Sequence, residues 1–339
     1  MAETDRSGYS RRSILTALAA TPLSAVDIKQ AAAQTVTAMP AEGRVQAALK
    51  EAQGTKLVML GTGAGPVPMA GSRRRFMTSH VMLSKGAAYV LDFGLGATNE
   101  FSRTGIEFGA VRSVFVTHHH PDHNVEYGPF LVIGWVNGLK QAVKAYGPPP
   151  LKQMTADMLA AYRTTIDFWA EDFKIAPLHN LDVSEVSAAG AVMQDENVKV
   201  SAVIVNHPPV KPALGYRFDF HDRSIAFSGD TTPLEAVAHL AKGADVLVHE
   251  AMYAPAVQSF VRAEIAHGQP VRFDAFMAHM NADHSDVGAV GRIAQEAGVK
   301  TLVLSHLTPE HGVTDATWRR EASKGFSGKI IVGRDLMVI

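Results

Sequence analysis

Between Thr117 and Asn124 the chain sets four side chains with metal-binding atoms, His118, His120, Asp122 and His123, within six residues. Imidazole and carboxylate are the donors that borderline divalent ions such as zinc prefer. In the spacing H-x-H-x-D-H, His118 and His120 can converge on one ion while Asp122 and His123 turn to a second. Paired ions of this kind activate water for hydrolysis. Taken alone, the motif also fits a histidine-rich surface loop with an adventitious metal.

The elements that must position these groups argue against the loop. Residues 111–116, Val-Arg-Ser-Val-Phe-Val, alternate and are β-branched, so the cluster begins where a strand ends. Other ligand-type residues follow other apolar runs: Asn206-His207 after 198–205, Ser228-Gly229-Asp230 after 224–227, His249-Glu250 after 245–248, and Ser305-His306 after 301–304. Open α/β sheets carry their sites beyond the carboxyl ends of strands, so residues far apart in sequence can share one cleft.

This set, H-x-H-x-D-H with a later lone His, a Gly-Asp and a Ser-His, resembles the metallo-β-lactamase superfamily. Finer details are similar to its ribonuclease Z and zinc arylsulfatase branch. They are Leu60-Gly61-Thr62-Gly63-Ala64-Gly65-Pro66, Leu91-Asp92-Phe93-Gly94, Ser228-Gly229-Asp230-Thr231, His249-Glu250-Ala251, and His284 ahead of a helix leading to Val303-Leu304-Ser305-His306. The resemblance runs from Lys56 to the C-terminus. It implies an α/β fold of the αββα sandwich type, with two mixed β-sheets flanked by helices. Carried over position by position, it implies that His118, His120 and His207 hold one metal, that Asp122, His123 and His306 hold the other, and that Asp230 bridges them. The implied cofactor is two Zn2+, with Mn2+ or Fe2+ as alternatives, and water between such ions has its pKa drawn towards about 7. Asp122 counts among the catalytic groups as well as the ligands.

A proton donor is also legible. His284 precedes Ser285, an N-cap candidate for a helix over 287–297, so it is expected to project from a helix start towards the cleft. Glu250 ends the strand over 245–248 on the same rim, and a carboxylate on one imidazole nitrogen favours the protonated ring. The pair matches the His and Glu of ribonuclease Z-like enzymes; His279 has no counterpart there. Bracing of the chain between them is the alternative role.

Composition sets the wider frame. The 339 residues are 47% hydrophobic, enough for a buried core, and the 32 basic and 33 acidic residues leave a net charge of −1. No global field recruits nucleic acid or anionic lipid. There is no cysteine, so disulfides, thiolate ligands and thiol nucleophiles are all excluded. Ser10-Arg11-Arg12-Ser13, a short apolar stretch and Ala31-Ala32-Ala33-Gln34 have the pattern of a twin-arginine export signal over residues 1–33. Residues 34–339 are then a single hydrolase domain, periplasmic and with no membrane anchor.

Along the chain, the glycine-rich turn after 56–60 lacks the Gly-Lys-Ser/Thr ending of a nucleotide loop and reads as structural. Arg73-Arg74-Arg75 reads as a solvated turn, and His80 as a structural histidine inside a strand. A Pro-Pro-Pro linker precedes a helix expected over 151–169. Residues 151–190 carry three basic and six acidic side chains and no basic arm of the kind ribonuclease Z enzymes use for transfer RNA. Residues 252–283 form an insertion whose Met252, Tyr253, Phe260, Phe273, Phe276, Met277 and Met280 are either core or an apolar wall over the cleft.

The expected function is therefore an exported dinuclear zinc hydrolase of a small-molecule ester, an aryl sulfate or phosphodiester, with no nucleic acid as partner. A lactonase or lactamase, an iron-dependent oxidoreductase and a non-catalytic metal-binding protein are the alternatives. No sequence signal bears on oligomeric state.

Overall fold

The strand Lys56–Gly61 buries both of its faces, with Leu57 and Met59 in one core and Val58 and Leu60 in another. A strand pleats with period two, so such a run belongs to a sheet covered on both sides. The structure, a computed structural model, describes residues 41–51, 53–65, 75–140, 142–179, 181–309 and 312–339. The expected signal over 1–33, Pro66 and the first two arginines of the triplet lie outside them.

Strands β1 (Lys56–Gly61), β2 (Ser79–Ser84), β3 (Ala87–Leu91), β4 (Val111–Phe115), β5 (Lys144–Gly147) and β6 (Asp182–Glu185) lie in the first sheet. Strands β7 (Gly190–Gln194), β8 (Val198–His207), β9 (Val210–Phe220), β10 (Ser224–Phe227), β11 (Val246–Met252), β12 (Thr301–Thr308) and β13 (Lys329–Val332) make the second. Strand β14 (Met337–Val338) returns to the first. Among the described residues the orders are β14-β1-β2-β3-β4-β5-β6 and β13-β12-β11-β10-β9-β8-β7. Each sheet is antiparallel at one side and parallel at the other, from β3 to β6 and from β10 to β13. Two similar halves are thus packed face to face.

The inter-sheet core is aromatic, with Tyr89, Phe115, Tyr216 and Phe218 fully buried among Leu57, Met59 and Val303. Helices Ala41–Glu51, Ala97–Thr104, Tyr127–Val136, Leu151–Ala161 and Arg163–Phe173 cover the first sheet. Helices Glu235–Leu240, Val287–Ala297 and Asp315–Ser323 cover the second. The fold is the expected αββα sandwich of two mixed sheets flanked by helices.

Several local expectations are corrected. The helix expected over 151–169 is two, parted at Tyr162, where the backbone turns to φ −91°, ψ 3°. Pro148 to Pro150 follow β5 directly as the turn into the first of these helices and link no domains. The helix after His284 is capped by Asp286, which accepts from Gly288 N at 3.0 Å, and not by Ser285. Ser285 is buried and donates to Thr231 O instead. The insertion is a helix pair, Ala254–Ala266 and Phe273–Asp283. Met252, Val257, Val261, Met277 and Met280 form a small core of its own, and Arg262 lies 4.1 Å over the Phe273 ring. Tyr253 packs on Trp318 of the second sheet's helical layer. No described helix is long and apolar enough to cross a membrane.

Candidate metal centre

Strand β4 delivers the first cluster. Thr117 N is held by Asp92 Oδ1 at 2.8 Å, His118 follows, and His120 is the N-cap of a short helix, Pro121–Asn124, with proline at its first turn. Proline suits that position because its missing N–H has no partner to lose there. Adjacent residues on a helix point in different directions, so Asp122 turns out towards Gly65 and His306 while His123 turns back to Asp92. Gly94 lets this helix approach, since a Cβ there would stand 2.3 Å from Asp122 O.

The other strands bring ligands by local irregularity. The β8–β9 register shifts between Val205 and His207, and the β11–β12 register shifts so that Glu250 faces Ser305 while Ala251 faces Leu307. His306 is the extra residue of that bulge and takes φ 44°, a left-handed conformation that non-glycine residues rarely adopt. A bulge re-aims a side chain out of the pleat, and here it aims an imidazole at the cleft. Asp230 follows Gly229, whose φ is 61° and where a Cβ would meet Leu214 O at 2.4 Å. Only glycine fits that turn.

All seven sequence-predicted ligands converge. His118, His120 and His207 have donor atoms within 4.8 Å of one another, as do Asp122, His123, Asp230 and His306. His120 Nδ1 is 3.1 Å from His118 Nε2 and 2.9 Å from His207 Nε2. Asp230 Oδ2 lies between the groups, 3.0 Å from His306 Nε2, 3.2 Å from His123 Nε2 and 3.9 Å from the Nε2 atoms of His118 and His207. Donors about 2 Å from a tetrahedral zinc stand roughly 3.3 Å apart, so these spacings fit a metal. His123 Nε2 is buried with no hydrogen bond, aimed at the same centre.

The electrostatics agree. Burial holds His118 well below the usual imidazole range and lowers His120 too, so both stand as neutral donors. Burial also opposes charge on His123 and His306, but the carboxylates of Asp230, Asp92 and Asp122 outweigh it at His123, and Asp230 and Asp122 push His306 up to about 10. For Asp122 and Asp230 burial favours the neutral acid, yet His123 and His306 hold both carboxyls below their ordinary range. Anions and imidazoles here compensate one another in the way a cation would.

Behind the donors stand groups that sequence reasoning missed. Asp92, itself at φ 61°, accepts from His123 Nδ1 at 2.8 Å, leaving Nε2 for the centre. Asp283 O accepts from His207 Nδ1 at 3.0 Å, which ties the insertion to a ligand. Gly65 N donates to Asp122 Oδ2 at 2.9 Å, so the glycine-rich turn steadies a ligand. The Leu-Asp-Phe-Gly motif was a signal for Asp92; the two backbone contacts had none. Asp92→Asn is expected to weaken metal affinity about 10–100-fold, the usual cost of losing an orienting carboxylate. Chelator competition measures it, and unchanged affinity would remove Asp92 from the site.

His284 and Glu250 also meet. Glu250 is buried and accepts from Thr231 N, Ser285 N and His284 Nδ1, the last at 3.3 and 3.2 Å to its two oxygens. His284 stacks near His306 at the edge of the donor set. Among the described residues, His119, His249 and His80 do not join it. His119 turns to Pro148 O, His249 is buried against Glu250 O, and His80 packs on Phe227 near Ser305, structural as expected. Arg75 bonds Thr62 Oγ1 and Gly333 O.

A cavity of about 580 Å³ opens from the donors to the insertion, lined by His120, His207, Asp230, His284 and His306 on one side and Val257, Phe260, Phe276 and Met280 on the other. The insertion is therefore both a small core and an apolar wall.

Residues 91–307 match the β-lactamase superfamily domain. The chain belongs to the metallo-β-lactamase superfamily. A ribonuclease Z from Mycobacterium sp. (strain KMS) is 32% identical over 285 residues, 83% of this chain and 94% of the relative. Among solved structures, human tRNase Z, short form, aligns with TM-score 0.58 at 20% identity, over 84% of this chain and 98% of that one. The Bacillus subtilis metallo-β-lactamase fold protein YhfI aligns with TM-score 0.60 at 17% identity, over 85% and 99%.

As a member of this superfamily the protein is a metal-dependent hydrolase. The expectation of no nucleic-acid partner is overturned by kinship with proteins named for cutting RNA. Its error was physical. The acidic stretch lies on Leu151–Ala161, Arg163–Phe173 and β6, at the far edge of the first sheet. Charge there bears on the path of a long polyanion and not on the bond that the centre cleaves.

Proposed function

We propose that this metallo-β-lactamase superfamily member is a dinuclear phosphodiesterase whose substrates include RNA, as the name of its ribonuclease Z relatives describes. The observation that carries the reading is one carboxylate oxygen, Asp230 Oδ2, between two sets of imidazoles, with the His284–Glu250 pair on the same cavity. Two divalent ions bound there, zinc by the donor types with Mn2+ or Fe2+ as alternatives, would polarise a phosphoryl oxygen and lower the pKa of water. The chain's own residues do the rest. Asp92 and Asp283 O fix the tautomers of His123 and His207, Gly65 N restrains Asp122, and Glu250 holds His284 to protonate the departing oxygen. An aryl sulfate ester is the second reading, favoured by the apolar wall of the cavity.

The test is hydrolysis of a precursor transfer RNA, bis(p-nitrophenyl) phosphate and p-nitrophenyl sulfate by the purified protein. Cleavage of both phosphodiesters, with RNA cleavage weakening as salt rises, is expected. Turnover of the sulfate alone would replace this reading with the sulfatase one.

Residues 1–33 are further proposed as a twin-arginine export signal, with residues 34–339 as one periplasmic domain. An exported enzyme would meet nucleic acid as released fragments. Replacing Arg11-Arg12 with Lys-Lys is expected to leave the precursor in the cytoplasm, because that address is read by a receptor. Cell fractionation measures it, and unchanged export would discard the signal.

A further inference from the structure

The cavity is divided by chemistry. Its floor is the candidate centre; its outer wall is Val257, Phe260, Val271, Phe276 and Met280, from the insertion. Val257 and Met280 are almost fully buried, whereas Phe260 and Phe276 are half-buried, each packed on the insertion's core and also lining the cavity. Glu264, Gln269 and His279 stand among these residues, and among the described residues no lysine or arginine lines the cavity. A volume near 580 Å³ is within the range of small-ligand sites. An anion laid along this wall would meet the Glu264 carboxylate and apolar side chains, with no cation among the described lining residues. What the wall suits is uncharged and flat.

On the phosphodiesterase reading above, we propose that this wall is a subsite for an uncharged aromatic ring, carried on the ester next to the bond that is cut. The ring stacks against Phe276 or Phe260, and Glu264 and Gln269 take hydrogen-bond donors on its far edge. Continuity with the donor atoms makes the occupant part of the substrate: whatever ester reaches Asp230 and His284 must lay its neighbouring group on this wall. A nucleobase and a simple aryl group share the required chemistry. Only the nucleobase carries donors for Glu264.

Three esters with one leaving group test it: methyl p-nitrophenyl phosphate, phenyl p-nitrophenyl phosphate and the p-nitrophenyl ester of adenosine 5′-monophosphate. Wild-type protein is expected to favour, in kcat/KM, the two esters that carry a second ring on the ester oxygen that is not cleaved. Phe276→Ala is expected to cut that preference about tenfold, within the range for stacking on one aromatic side chain. Glu264→Gln should reduce the preference for the adenosine ester over the phenyl ester; no change would mean the far edge reads no donors and a plain aryl group is the occupant. A neutral fluorescent ring, N-phenyl-1-naphthylamine, reads the subsite without turnover, and Val257→Trp, which fills the cavity, should weaken its binding at least tenfold with metal content unchanged. If the probe binds and Val257→Trp blocks it while no phosphodiester is cleaved, the subsite stands and the phosphodiesterase reading falls. If Val257→Trp and Phe276→Ala leave both the probe and the ring preference as in wild type, the subsite proposal is overturned.

Discussion

Asp230→Ala is expected to take turnover to background and metal content from about two ions per chain to less than one, the largest loss from any single side chain. One of its oxygens is within 3.2 Å of His123 and His306 and within 3.9 Å of His118 and His207. Neighbouring dications repel strongly at low dielectric and need an anion between them, so removing this carboxylate disfavours loading of the pair and not of one site alone. Loading also has a pH sign. The carboxylates hold His123 and His306 towards the charged form, and a metal takes only neutral imidazole, so binding releases protons and strengthens as pH rises. Elemental analysis of wild type and variant, with the proton release followed in a weak buffer, measures both effects. Wild-type protein that is fully active with one ion or none would sink the dinuclear reading.

Much of this centre was legible because its donors are sparse residue types at the ends of apolar runs. His118, His120, Asp122 and His123 needed only the strand before them, and Gly229-Asp230 announced a turn that glycine alone can make. The expectation that every ligand lies past its strand was too simple. His306 is inside β12 and His207 is the last paired residue of β8, each beside a register shift that depends on the partner strand and leaves no mark in its own residues. Contacts through backbone atoms were also silent, since Gly65 N and Asp283 O could belong to any residue type. The apolar residues of the insertion gave two readings because a helix pair this small needs a core and a wall from the same few side chains. Net charge misled on nucleic acid because it averages over a surface, whereas cleavage is decided within a few ångströms of Asp230.

His284→Ala and Glu250→Gln are each expected to lower turnover roughly 10²–10⁴-fold, the usual contribution of a positioned general acid. Glu250 is fixed first, by the backbone N–H groups of Thr231 and Ser285 at 3.0 and 3.2 Å, and it then holds His284 Nδ1. Burial works against a charged His284, yet the Glu250 carboxylate and its hydrogen bond outweigh burial and raise the pKa above the ordinary imidazole value. The shift favours the protonated ring, and with Nδ1 on Glu250, Nε2 is the atom left to deliver its proton. Activity that depends on the protonated ring is present below this raised pKa and lost as pH rises through it, so His284→Ala should remove the alkaline limb of the pH profile as well as lower its height. The defect should shrink for nitrophenolate esters, whose leaving group is a weak base, and grow for alkyl esters. His279 is the control: its ring is 57% exposed and paired with Asp283 at 2.5 Å, one helical turn away on the cavity wall. A mere brace would lose stability and metal together, without dependence on the leaving group. If His284→Ala keeps wild-type turnover on an alkyl ester while His279→Ala does not, the acid is the other histidine.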